Sequence, residues 1–319
     1  MTPRPLDGIL VADLTRVLAG PTATMMLADL GARVIKVERP GLGDDTRRFG
    51  PPWAGSSSAY FESANRTKES VALDFGDPDD LRRARELVDR ADVVVENYKT
   101  GGLARFGLDH ESVLARNPRA IYASVTGFGS GAGARELGYD FLVQAVGGLM
   151  SITGHPDGEP TKVGVAVVDL FAANHLVMGI LAALLHRERT GRGQRIEVDL
   201  LTSSLASLAN QASSYLATGT VPGRLGNRHP SIAPYETVRC RDGYLALAVG
   251  NDRQWGEVAR LIGRPELASD PRYATNGARV EHHDEMIRDL EAGLAGDDVE
   301  TWSERMRAVG GPAGKGNDI

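Results

Sequence analysis

A single cysteine, Cys240, is present in 319 residues. One thiol forms neither an internal disulfide nor a multi-cysteine metal site, so redox pairs and zinc clusters drop out and a reducing, cytoplasmic setting is expected. No stretch of about 20 uninterrupted apolar residues occurs, which argues against a membrane span. The opening MTPRPLDGILVADL has a short apolar run interrupted by Asp13 and no small-residue cleavage site, so it reads as a first strand and not as a signal peptide. Long like-charge blocks, internal repeats and low-complexity segments are missing as well. With a net charge of −6, general nucleic-acid binding is disfavoured, although a local basic patch could still hold a phosphorylated ligand. The dinucleotide fingerprint GxGxxG fails in the first turn, TRVLAGPTA, where Gly20 stands alone and Pro21 follows it. Metal-ligand spacing among histidines is lacking too: His175 and His186 read as helix residues, His229 as a connector residue, and His282 with His283 as a solvated helix face. A small-molecule partner is what remains.

What is present is an alternation of strand-length apolar runs with helix-length amphipathic stretches, the pattern of βαβ units around a parallel sheet. Strands are expected at Ile9–Asp13, Val34–Glu38, Val93–Glu96 and Ile121–Val125. Asp77-Pro78-Asp79-Asp80 supplies a cap, a first-turn proline and acidic residues for a helix through LRRARELVDR. A longer helix is expected from about Leu170 to Arg189, carrying Leu170, Ala173, Val177, Ile180, Leu181, Leu184 and Leu185 as an apolar stripe and ending at Gly191. RIEVDLL reads as a strand with weaker alternation, and Thr202 to Leu216 as a helix. Gly219 to Pro234 is rich in glycine and proline and serves as a connector. This divides the chain into a large α/β domain over residues 1–218, a linker over 219–234 and a smaller α+β domain over 235–319. The smaller domain should hold a strand at Tyr244–Val249 and helices near Trp255–Ile262, Val280–Leu294 and Val299–Val309.

At this point the residues carry a resemblance. DLTRVLAGPTATMMLADLGARVIKVERPGLGDDTR (13–47) is similar to the opening of the class III, or formyl-CoA-transferase-like, coenzyme A transferases of the CaiB/BaiF type. NRTKESVALDF, ADVVVENYKTG, NPRAIYASVTGFG, LGYDFLVQAVGGLMSITG, VVDLFAANHLVMGILAAL and TGRGQRIEVDL follow in the family's order, and the likeness extends through IAPYETVRCRDGYLALAVGNDRQW. The resemblance implies a Rossmann-like large domain with a small domain, and homodimers interlocked like chain links. Read alone, Asp169 is a helix-capping carboxylate. The resemblance makes it the nucleophile that carries the acyl group, a role that helix-terminal placement favours by stabilising the ionised form.

The implied substrates are acyl-CoA and a carboxylic acid, with no bound cofactor and no metal. Family positions fall on Val17, Leu18, Ala19, Arg39, Leu73, Asn97, Tyr98, Lys99 and Arg105 for CoA, with Gly76 where a lysine is usual and Thr100 where proline is common. Arg66, Lys68 or Lys99 are the substitutes expected for the missing phosphate contact. Tyr139 and Asp140 would line the acyl pocket, as would Gly250 and Asn251, which align with a glycine-rich closing loop although Asn251 and Asp252 replace glycines. GNRHPSIAPYET resembles the branch acting on dicarboxylic acids, with Arg228 the candidate partner of the distal carboxylate. Two other activities stay open. A 2-methylacyl-CoA racemase would need a histidine where Tyr139 stands, and tyrosine is a poor base at neutral pH. The chain ends at GGPAGKGNDI, where family members normally continue, so a CoA-binding homologue without turnover is the third reading.

Overall fold

The computed structural model describes residues 3–319 and contains two compact units. The first runs to Met150 and resumes over Lys162–Pro222; the second takes Ser151–Thr161 and Gly223–Ile319. The short Ser151–Thr161 segment, placed inside the large domain by the sequence reading, therefore groups with the second unit.

Six parallel strands form the sheet of the first unit: β1 (Leu10–Leu14), β2 (Arg33–Glu38), β3 (Glu69–Ala72), β4 (Val93–Glu96), β5 (Ile121–Thr126) and β6 (Arg195–Asp199). Their spatial order is β3-β2-β1-β4-β5-β6. That is the order of doubly wound nucleotide-binding sheets, and it reverses direction between β1 and β4. The central strands are valine-rich and buried on both faces, which is why they read as apolar runs. The edge strand β3 is largely exposed and β6 is only half-buried, which weakened their sequence signal.

Helices cover both faces. On one, Val11, Val93, Val95, Ile121 and Val125 pack with Ala23 and Leu27 of α1 (Ala19–Asp29). Along the chain α2 (Ala59–Asn65) follows β2, α3 (Pro78–Arg90) follows β3 and α4 (His110–Arg116) follows β4. Ala84 and Val88 of α3 and Val113 of α4 close the other face against Ala12, Leu14, Val94 and Tyr122. Asp77 caps α3 through the N–H groups of Asp79 and Asp80, as its sequence demands. The short α5 (Asp140–Val146) precedes the long α6 (Val167–Thr190). Leu176 and Ile180 of α6 join the first core, whereas Leu185, assigned to the apolar stripe, is exposed. Gly191 ends α6 at φ 75, the left-handed closure that glycine accepts without strain. Among the described residues α6 is long and apolar enough to cross a membrane, but 44% of its most apolar window is buried inside the protein.

The helix expected over Thr202 to Leu216 is two, α7 (Leu200–Ser207) and α8 (Ala209–Thr218), broken where Ala209 takes φ 42. In the second unit β7 (Tyr235–Arg239), β8 (Tyr244–Ala248) and β9 (Ala313–Lys315) form an antiparallel sheet. Against it pack α9 (Asp252–Leu261), α10 (Asn276–Glu281), α11 (His283–Leu294) and α12 (Val299–Ala308), around Trp255, Leu290 and Trp302. His283 departs from its reading as a solvated residue. It is 7% exposed and held between Glu236 and Asp284, partners from a distant strand and the next position that its own sequence neighbourhood does not reveal.

Candidate active site

The loops leaving β1, β4, β5 and β6 meet at the carboxyl edge of the sheet, where strand order reverses. Doubly wound sheets bind ligands in this crevice. Two cavities open there. One, of about 460 Å³, is lined by Arg16, Arg39, Leu73, Phe75, Tyr98 and Arg105 among others. The second, of about 220 Å³, is bounded by Val17, Leu18, Ala19, Asn97, Lys99, residues 126–129, residues 137–139 and Asp169. Arg16 and Tyr98 line both.

Asp169 lies in the first turn of α6 and is half-buried. A helix N-terminus favours an ionised carboxylate. Here the carboxyl is nonetheless pushed up to about 7, first by loss of water and then by the negative charge of Asp140. The expectation that helix-terminal placement keeps this group readily ionised is thereby corrected. Ala166 gives α6 no side-chain cap. Asp140 caps it from α5 instead, its Oδ1 accepting from the N–H groups of Val168 (2.8 Å) and Asp169 (3.3 Å). Its Oδ2 accepts from Gln144 Nε2 at 2.6 Å, and the fully buried Gln144 in turn accepts from the Val163 N–H. Asp140 thus both anchors the helix that carries Asp169 and tunes its charge. Tyr60 of α2, which sequence reasoning missed, has its phenol pKa raised by burial and by the charges of Asp169, Asp140 and Asp44.

The loop after β1 is held from beneath by buried charges. Lys36 pairs with Asp44 (2.9 Å) and Lys68 with Asp13 (3.1 Å), all four essentially without solvent contact. Asp13 stays ionised: desolvation opposes it, but Lys68, Lys36, Thr15 and Thr24 outweigh that cost. Burial pulls the Lys68 ammonium down to about 8 despite its partner. Lys68 is therefore spent inside the protein and is not a free phosphate ligand, contrary to expectation; Arg66 is engaged with Asp29. Lys99 lines the smaller cavity. Above this network Val17 adopts φ 72, a left-handed conformation that costs a β-branched residue about 1–2 kcal/mol.

The wall opposite is set by two glycines. A Cβ on Gly138 would stand 2.1 Å from the Gly127 Cα, so the TGFG turn and the LGYD segment touch backbone to backbone. Tyr139 follows, 61% exposed at the cavity. In the larger cavity Leu73 is buried, while Arg39 and Arg16 rest on Asp45 at 2.8 and 3.3 Å. Arg105 stacks over Phe106. Three arginines beside aromatic rings suit a phosphorylated, planar ligand.

Arg228, Gly250 and Asn251 belong to the second unit. Arg228 donates to the Val280 carbonyl (3.3 Å) and lies 3.8 Å from Asp284. Asn251 caps α9 through the Gln254 N–H, and Asp252 is tied by the fully buried Arg279 at 2.8 Å. The turn that aligns with a glycine-rich closing loop, with Asn251 and Asp252 in place of glycines, is in this chain a capped helix start.

A doubly wound α/β protein with arginine and aromatic side chains in one cavity and a half-buried carboxylate in the adjoining one presents a site suited to a nucleotide-linked substrate. The model of CoA-transferase family III matches residues 6–319, and the chain belongs to that family. It is 52% identical over 289 residues to a succinate–glutarate CoA-transferase of Agrobacterium fabrum, covering 88% of this chain and 72% of that protein. A succinyl-CoA:glutarate CoA-transferase of Mus musculus is 44% identical over 317 residues, covering 99% and 73%. Among solved structures, a CaiB/BaiF family protein from Brucella suis superposes with a TM-score of 0.88 at 47% identity, covering 99% of this chain and 84% of that one.

Proposed function

We propose that this CoA-transferase carries its acyl group on Asp169 and exchanges CoA between succinyl-CoA and a dicarboxylic acid such as glutarate. The observation that carries the reading is the Asp169 carboxyl, half-buried in a cavity it shares with the uncapped start of α1 and continuous in lining with an arginine-rich cavity. The Asp169 carboxylate adds to the thioester carbonyl; the C–S bond breaks, CoA thiolate leaves, and a mixed anhydride remains. The thiolate then attacks the aspartyl carbonyl, releasing the donor acid and forming an aspartyl-CoA thioester. The acceptor carboxylate attacks this thioester and expels the thiolate, which finally takes the acceptor acyl group and frees Asp169. Activation passes from bond to bond, so no ATP is consumed. The site has to exclude water and offer amide N–H groups to each oxyanion.

In this reading the nucleotide end of CoA occupies the larger cavity with Arg39 and Arg105 on its phosphates, and the pantetheine arm passes Tyr98 and Lys99. The substrates in the relatives' names support the dicarboxylic acceptor. Homodimerisation is part of the proposal and is supported by apolar side chains left exposed on α5 to α8, each packed on the next, among them Phe141, Met178, Leu185, Leu205 and Leu216. The test is chemical trapping: incubation with succinyl-CoA, quenching with hydroxylamine and peptide mapping should place the hydroxamate on Asp169. A hydroxamate on another residue, with Asp169 unmodified, would refute the assignment.

A further inference from the structure

We propose that Asn97 is a positioning residue: it holds Val17 in its left-handed conformation and so sets the loop that faces Asp169, in place of spending its carboxamide on the coenzyme. The inference rests on Asp169 as the reacting group. Its starting point is Val17 itself, because a β-branched residue at φ 72 persists only where surrounding contacts over-determine it. Those contacts can be named. Asn97 Oδ1 accepts from the Arg16 N–H at 2.9 Å, and Asn97 Nδ2 donates to the Arg16 carbonyl at 2.7 Å. On either side, the Thr15 carbonyl accepts from Lys36 Nζ at 2.8 Å and the Val17 N–H donates to Asp44 Oδ1 at 3.3 Å. Four successive backbone groups are thus bound by side chains from β2, from the loop after it and from the residue that follows β4.

Lys36 and Asp44 are sealed in the buried ion network. Asn97 is the clamp that lines the cavity, and its bidentate bond bridges the loops on the two sides of the strand-order reversal. Immediately beyond the clamp, Leu18 and Ala19 line the same cavity as Asp169, and among the described residues the N–H groups of Leu18, Ala19 and Gly20 meet no acceptor. Releasing Arg16 lets Val17 relax to negative φ, which turns these amides away from the reacting carboxylate.

The test is a suppression experiment measured by acyl transfer from succinyl-CoA. N97A should lower kcat about 100-fold, the scale of a misplacement of about 1 Å, with KM for succinyl-CoA within about threefold. Adding V17G should recover kcat about tenfold or more over N97A, because glycine occupies the left-handed region without steric cost. N97D keeps the acceptor for the Arg16 N–H and loses the donor to its carbonyl; it should lose kcat in the same direction and be suppressed by V17G likewise, and it replaces N97A if that variant does not fold. A KM about tenfold higher at unchanged kcat, or a V17G loss that adds to that of N97A or N97D, overturns the proposal. Labelling of wild-type Asp169 by hydroxylamine separates the two ideas: absence of label sinks the underlying reading, whereas label without suppression sinks this one alone.

Discussion

Replacing Asp140 by asparagine should move the acid limb of the enzyme's pH profile to lower pH. Asp169 titrates near 7, from an ordinary value of 3.8, with burial the larger cause and the Asp140 charge the second. Asp140 therefore supplies less than half of the rise, and its neutralisation should bring the Asp169 midpoint to between about 5.5 and 6.5. In the native enzyme about one tenth of Asp169 is ionised at pH 6 and about nine tenths at pH 8. A midpoint lowered to about 6 makes half of it ionised at pH 6, so the ratio of kcat/KM at pH 6 to that at pH 8 should rise about fivefold. The introduced carboxamide still presents an oxygen to the N–H groups of Val168 and Asp169, while the bond from Gln144 is lost, so total activity and melting temperature are expected to fall. The ratio is insensitive to that loss. An acid limb that stays in place, or moves to higher pH, would refute the argument that Asp140 tunes Asp169 electrostatically.

D169N should abolish transfer yet stabilise the fold at alkaline pH. The Asp169 pKa is raised in the folded state, so the folded protein holds an extra proton between about pH 4 and 7 and bears the full cost of the buried charge only above that window. After discounting for partial exposure the gain should be about 1–2 kcal/mol at pH 8 and vanish as pH falls through 7 towards 4, as read by thermal melts across pH; a variant less stable than wild type at pH 8 contradicts this. R39M and R105M should each raise KM for acyl-CoA about tenfold or more with little change in kcat, the effect of deleting a charged bond to phosphate. Unchanged KM with reduced kcat would place these arginines elsewhere in the mechanism.

Much of the site was legible because its elements obey local rules. Val93–Glu96 matched to the residue, Asp77 capped α3, and the stripe of α6 led back to an aspartate in its first turn. The ordered motifs then supplied a chemical role that capping alone does not. What stayed hidden depends on distant partners. Asp13 looked like an interruption of an apolar strand, yet it is the buried counter-ion of Lys68, 55 positions away. Nothing local announces that Val17 is held at positive φ, since its clamps come from Lys36, Asp44 and Asn97. The four-residue β3 was missed because an exposed edge strand lacks the burial that creates a pattern. The sign of the Asp169 shift was also beyond sequence, for it turns on burial and on Asp140, 29 positions away.

The contact between Gly127 and Gly138 bears on how this enzyme could be reshaped. At that crossing the two loops meet with no side chain between them, so truncating substitutions have nothing to remove and cannot widen the wall there. Any methyl group added acts as a wedge, spreading the loops and displacing Tyr139 and Asp140 together. Acceptance of bulkier acids would then have to be engineered from the rim, at Leu137 or Tyr139, while the crossing is left as a fixed hinge pin around which such changes are made.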